Sequence, residues 1–156
     1  MAKQEEKKKV EMFDLGAFDS VTLSNKGVWI TILHPLTGEE TTTRFLMLGP
    51  DSDAYVAWQD EQSKKSQEFL VQSLAQRKGK GGKKPADLEL ASNVDLLCEL
   101  IQGWENAYWN GEELTFNKDN AKKIFTNNVV VRQQLLRDIE DRERFFTGTS
   151  KSSPTA

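Results

Sequence analysis

The 156-residue chain is expected to be an α+β protein, with a small N-terminal antiparallel β-meander followed by a mainly helical C-terminal part. Residues 13–18, 27–33 and 41–48 are rich in aromatic and β-branched side chains, and turn formers part them, Ser24-Asn25-Lys26-Gly27 and Pro35-Leu36-Thr37-Gly38. From Asp87 onward apolar residues instead recur every three or four positions, which is the period of a helix. Hydrophobic residues are 37% of the chain and charged residues 29%, so one small core with solvated extensions is expected.

Residues 1–11 mix Lys and Glu with almost nothing to bury and are expected to be disordered. Residues 12–76 should hold the three-stranded meander and one long helix. In the second strand Val28, Ile30 and Ile32 alternate with Trp29, Thr31 and Leu33. Both faces are therefore apolar, and one must meet another element or a partner. Gly49-Pro50 stops the third strand, and Asp51-Ser52 offers a side-chain cap for a helix running to about Gln76. Tyr55, Trp58, Phe69 and Leu74 share one face of that helix, with Gln62 and Lys65 in its middle. Such a helix should be anchored at its ends and wet between them.

The stretch RKGKGGKKP, with three glycines, a proline and five basic side chains, reads as a flexible basic linker spanning 77–86. Residues 87–146 are expected to form a helical bundle. Its first helix carries the stripe Leu90, Val94, Leu97, Ile101, Trp104 and Tyr108, weakens at Gly103 and ends before the tight-turn pair Asn110-Gly111. Asn117 can cap a short helix through Phe125 that Asn127-Asn128 ends or kinks. Val131, Leu135, Ile139 and Phe146 mark the buried face of a last helix, opposed by Arg132, Asp138, Glu140 and Arg142. Residues 147–156, TGTSKSSPTA, read as a disordered tail.

A net charge of −3 gives no reason to expect nucleic acid, whose binders show a basic face. No run of about 18 apolar residues could cross a membrane, and the N-terminus lacks the apolar stretch of a signal peptide. A cytoplasmic protein is expected. The single cysteine, Cys98, cannot form an internal disulfide and should act as a small apolar group on its helix. His34 stands alone at a strand end, where no metal cluster can form around it. The acidic pairs Asp51 with Asp53 and Glu112 with Glu113, and the run 138–141, match no calcium loop and read as solvated faces. No catalytic residue, metal or cofactor is expected, and the basic linker reads as a solvated spacer before it reads as an electrostatic docking loop for an acidic partner.

Aromatic side chains are the residues left to explain. Trp104, Tyr108, Trp109, Phe116, Phe145 and Phe146 are the candidate partner-binding residues, because aromatics concentrate at the centres of interfaces. Trp109 keeps two readings, a core filler at a helix end or a partner anchor over a groove beside the helix carrying Leu135 and Ile139. Self-association also stays open, since the strand 28–33 is apolar on both faces.

The order Ile101-Gln-Gly-Trp104, then Asn110-Gly111-x-x-Leu114-Thr-Phe116-Asn117, then helices ending near Phe145-Phe146, resembles the tail assembly chaperones of long-tailed bacteriophages. The stretches His34-Pro35-Leu36-Thr37-Gly38-Glu39 and Gly49-Pro50-Asp51-Ser52-Asp53-Ala54-Tyr55 are similar to the opening of related phage tail proteins, so the resemblance covers roughly residues 13–146. It implies a non-enzymatic protein of the host cytoplasm that binds the tape measure protein, keeps that long apolar chain soluble and helps recruit tail tube subunits. It also implies absence from the finished virion, and family members are often made with a longer, frameshifted form. The basic stretch 77–85 has no counterpart in the family pattern. The alternative is a structural minor tail component that stays in the virion and assembles through its N-terminal strands.

Overall fold

The computed structural model describes residues 12–75 and 85–147. The expectations for 1–11, for the linker up to residue 84 and for 148–156 fall outside these residues. The chain is α+β, with a small antiparallel sheet near the N-terminus and mostly helices after it.

The first expected strand is not one. Residues 15–18 form a 3-10 turn, and helix α1 (Ser20–Lys26) follows it. Asp14 accepts from the Gly16 N–H at 3.0 Å and Asp19 from the Thr22 N–H at 3.1 Å. These short carboxylates take the amides a strand would have needed, and that local competition favours caps over ladders. Strand β1 (Val28–Leu33) pairs antiparallel with β2 (Glu40–Met47) across a loop in which His34 Nδ1 accepts from the Leu36 N–H at 3.1 Å. The lone histidine is thus a turn residue.

The third strand comes from the segment expected to be wholly helical. Helix α3 (Pro85–Leu100) stops well short of Tyr108, and β3 (Ile101–Glu105) pairs with β2, giving the order β1-β2-β3. Spacings of three and four from Ile101 to Trp104 to Tyr108 fit a helix, but the backbone of β2 needs a second neighbour, and that tertiary demand overrides the local period. Phe45 lies opposite Trp104 and Arg44 opposite Glu105, with Arg44 Nη2 2.8 Å from the Glu105 carboxylate. Arg44 also lies over the Trp29 ring, 4.6 Å from its centroid, so the outer apolar side chain of β1 is covered by a cation.

Helix α2 (Asp53–Ala75) starts behind Ser52, whose Oγ accepts from the Tyr55 N–H at 3.2 Å and donates to Gly49 O at 2.7 Å. Its expected anchoring at both ends holds only at the first. Tyr55 is buried, whereas Phe69 is 56% exposed and Leu74 76% exposed. Beyond β3 a two-residue hairpin joins β4 (Tyr108–Trp109) to β5 (Glu112–Glu113), with Asn110 at φ 52° and Gly111 at φ 84°, the left-handed pair foreseen for Asn-Gly.

Asn117 caps α4 (Lys118–Asn127) by accepting from the Asn120 N–H at 2.7 Å, and Asn128 caps α5 (Val129–Ile139) through the Val131 N–H at 3.1 Å. The expected single last helix is broken at Glu140 and Asp141, and a separate helix α6 (Arg142–Thr147) follows. The break moves the buried side chain from Phe146 to Phe145, and it buries Asp138, which was expected on the solvated face. Asp138 and Arg144 pair at 3.1 Å, which compensates the carboxylate for losing water.

The core joins the inner face of the sheet, Ile30, Phe45, Met47 and Ile101, to Leu97 and Leu100 of α3, Phe125 of α4 and Leu135 and Ile139 of α5. Helix α5 also reaches the outer edge of β1, where the Gln134 amide bonds the backbone of Thr31 and Leu33 at 3.0 Å each. No helix among the described residues is long and apolar enough to cross a membrane.

Candidate partner-binding surface

The six candidate aromatics do not form one groove. Trp104 stands on β3 with its ring 5.6 Å from Phe45 and 5.0 Å, edge on, from Phe116. Its Nε1 donates to Leu114 O at 2.9 Å, so it pins the 114–116 loop to the sheet. Both Trp104 and Phe116 are half-buried and packed against the core. Their geometry is that of a structural clasp.

Tyr108 and Trp109 occupy a second place, on β4. Tyr108 is 58% exposed, and Trp109 is half-buried with Lys123 Nζ 5.1 Å from its ring centroid. They line a shallow groove of about 250 Å³ together with Ile32, Ile124 and Val130 at the Leu33 end of the sheet. Trp109 therefore faces α4 and the start of α5. Leu135 and Ile139, beside which it was expected, are fully buried.

Phe145 and Phe146 lie at the other end of the sheet, beside the turn that follows Met47. A Cβ on Gly49 would stand 2.9 Å from the Phe145 ring and 2.6 Å from Ser24 Oγ, so the close approach of α1, α6 and this turn requires glycine. Phe145 is a core plug. Phe146 meets Phe18 edge on at 5.2 Å, and Phe18 stacks on Phe13 at 5.2 Å.

A further open apolar surface was not among the candidates. At about 1.5 Å per residue, α2 is roughly 34 Å long and α3 roughly 24 Å. Ser92 Oγ of α3 is 3.2 Å from Gln62 Oε1 of α2. Around that contact the two helices flank a cleft of about 640 Å³, lined by Phe69, Leu70, Leu88 and Ala91 and by the charged Lys65 and Asp95. Phe69, Leu70, Val71 and Leu74 are all more than half exposed, and Leu88 is 42% exposed. At about 100° per residue Phe69 continues the line of Tyr55, Trp58 and Gln62, while Leu70 and Leu74 lie roughly 100° to 140° further round. The apolar face is thus wider than α3 alone can cover. The uninterrupted run Phe69-Leu70-Val71 was the signal in the sequence, since a solvated helix flank seldom carries three large apolar residues in a row.

Two polar clasps hold the root of α2 to the α5–α6 corner. Arg142 donates to both Asp51 oxygens at 2.6 and 2.7 Å, and Tyr55 Oη donates to Glu140 at 2.9 Å. Hydrogen bonds from Arg142 hold the Asp51 carboxyl below its ordinary range. Burial, with the Glu140 hydrogen bond second, pushes the Tyr55 phenol up to about 12. Burial likewise raises the Cys98 thiol, which is half-buried on α3, and Lys118 Nζ donates to the Cys98 carbonyl. Among the described residues no group of three or more His, Cys, Asp or Glu side chains could hold a metal ion. Compared with protein-family models, curated proteins and solved structures, the chain matches none.

Proposed function

We propose that the chain is a tail assembly chaperone of a long-tailed bacteriophage, a non-enzymatic protein of the host cytoplasm that binds the tape measure protein, keeps it soluble and helps recruit tail tube subunits. The observation that carries this reading is the exposed apolar arm. Full burial of a Leu, Phe or Val side chain is worth about 1.5 to 3 kcal/mol, so Phe69, Leu70, Val71, Leu74 and Leu88 together hold a large unrealised driving force for association. Two helices with an apolar cleft between them accept the apolar stripe of a third, which is the surface a long helical client presents. The resemblance of residues 13–146 to tail assembly chaperones supplies the identity of that client. Client contact accordingly moves from the expected aromatic cluster to the arm, with Tyr108 and Trp109 as a second point of contact.

Co-expression with the tape measure protein of the same phage should raise that protein's soluble yield and recover the two together. Replacing Leu70 and Leu74 by Ser should reduce the co-purified client about tenfold or more, as loss of interface anchors does. Absence of co-purification with the unaltered chain would sink the chaperone reading. The alternative, a minor tail component assembled edge to edge, has the Gln134 contacts on β1 against it. A stoichiometric signal for this chain in the mass spectrum of purified virions would favour that alternative.

A further inference from the structure

β1 is an edge strand, and its sequence Val-Trp-Ile-Thr-Ile-Leu holds no charge. An uncharged β-branched and aromatic hexapeptide on a free edge is a template for strand addition, because its outward N–H and C=O groups can pair with another extended chain. Here two of those groups are already taken. Gln134 Oε1 accepts from the Leu33 N–H at 3.0 Å, and Gln134 Nε2 donates to Thr31 O at 3.0 Å. The C=O before Ile32 and the N–H after it are the groups through which a strand set opposite Ile32 would bond. The side-chain amide stands where a peptide of a fourth strand would stand.

The amide is itself held in place. Its Nε2 also donates to Asp138 Oδ2 at 3.0 Å, and Asp138 Oδ1 lies 3.1 Å from Arg144 Nη2 on α6. Gln134, Asp138 and Arg144 are 5%, 3% and 7% exposed. A carboxylate only accepts, and so does a carbonyl, so both demand the NH₂ end of the amide and leave its oxygen for Leu33. Helices α5 and α6 together fix one orientation of one side chain against the strand.

We propose that Gln134, oriented by Asp138 and Arg144, is an edge cap that closes β1 to strand addition, and that the strand it excludes is β1 of a second copy of this chain. Two copies that meet edge to edge about a twofold axis would run antiparallel and set this uncharged strand beside its equivalent. Every copy carries the same edge, so the excluded contact is available to each molecule in solution.

The test uses the full chain, Gln134→Ala and a reference variant, Val94→Ala, which opens the core without touching the amide. With the two variants brought to equal stability by temperature, Gln134→Ala should exchange its Leu33 amide at least about tenfold faster than the unaltered chain, the effect of losing the acceptor. It should also form dimers and larger species with rising concentration in sedimentation velocity, and Val94→Ala should not. Adding Trp29→Glu to Gln134→Ala should abolish the association, since a charged side chain on an edge strand opposes strand addition. Equal association of the two single variants would overturn the proposal, as would a Gln134→Ala protein with a fast Leu33 amide and unchanged sedimentation. Gln134→Leu, which fills the space without an amide, replaces the Ala variant if that one does not fold.

Discussion

Arg144 and Asp138 form a buried pair, with Arg137 also 3.4 Å from Asp138 and Asp141 3.7 Å from Arg144. Arg144→Met should leave the buried Asp138 carboxylate with only Arg137, 3.4 Å away and mostly exposed, as its cation, and destabilise the protein by about 3 kcal/mol, whereas the double variant Asp138→Leu with Arg144→Met should lose much less. Urea unfolding of both variants measures the difference. Two other residues predict how stability responds to pH. Asp51 has its folded pKa depressed below 3.8, so its contribution is present above that value and lost as pH falls through the folded pKa. Tyr55 has its folded pKa raised from 10.0 to about 12, so between those values the unfolded chain releases a proton that the native state keeps. Stability should therefore fall as pH rises from 10 through 12, and Tyr55→Phe should show a shallower fall in thermal melts over that range. Trp104→Ala should cost about 3 kcal/mol through the lost packing on Phe45 and Phe116, while client binding per folded molecule stays unchanged. Of the candidate aromatics, Trp104, Phe116 and Phe145 turned out to serve the fold. Sequence spacing shows that such rings share a region but not which neighbours enclose them.

Helix α2 separates buried from exposed apolar side chains along its length. Its first turns carry buried Tyr55 and half-buried Trp58, and its last turns carry exposed Phe69, Leu70, Val71 and Leu74. Phe69→Ser with Leu74→Ser should shift stability by no more than about 0.5 kcal/mol, because neither side chain is buried. The same change should weaken client retention, and calorimetry with a co-purification assay reads both quantities. An unchanged co-purification would return client binding to the groove at Tyr108 and Trp109. The helix that Asn117 opens was legible because a cap is a local event between a side chain and an amide two or three residues on, whereas Asn128, read as the end of that helix, proves also to cap the next. The strand at residues 101–105 was not, because its partner lies more than fifty positions earlier in β2.

At the scale of the whole molecule, β2 is central to the sheet only because β3 returns to it after α2 and α3. A fragment ending at residue 75 would keep the β1–β2 hairpin and α2 but lose β3 and the faces of α3, α4 and α5 that bury Ile30, Phe45 and Met47. Such a fragment should show no cooperative thermal transition by circular dichroism, since an isolated hairpin is marginal in water. A cooperative melt would show that residues 12–75 fold without the rest.

By itself the sequence determined the α+β class, the β1–β2 hairpin, the Asn-Gly turn and the helix capped by Asn117, all of which follow from side-chain period and from contacts a few residues long. It also carried the apolar run at Phe69, in plain view but readable as an anchor. Only the tertiary structure decided that Ile101–Glu105 is a strand, that Asp138 lies inside and that Gln134 caps β1, because each depends on groups brought together from distant parts of the chain. A backbone amide left without water must find a partner wherever the fold places one, and no local pattern encodes where that will be.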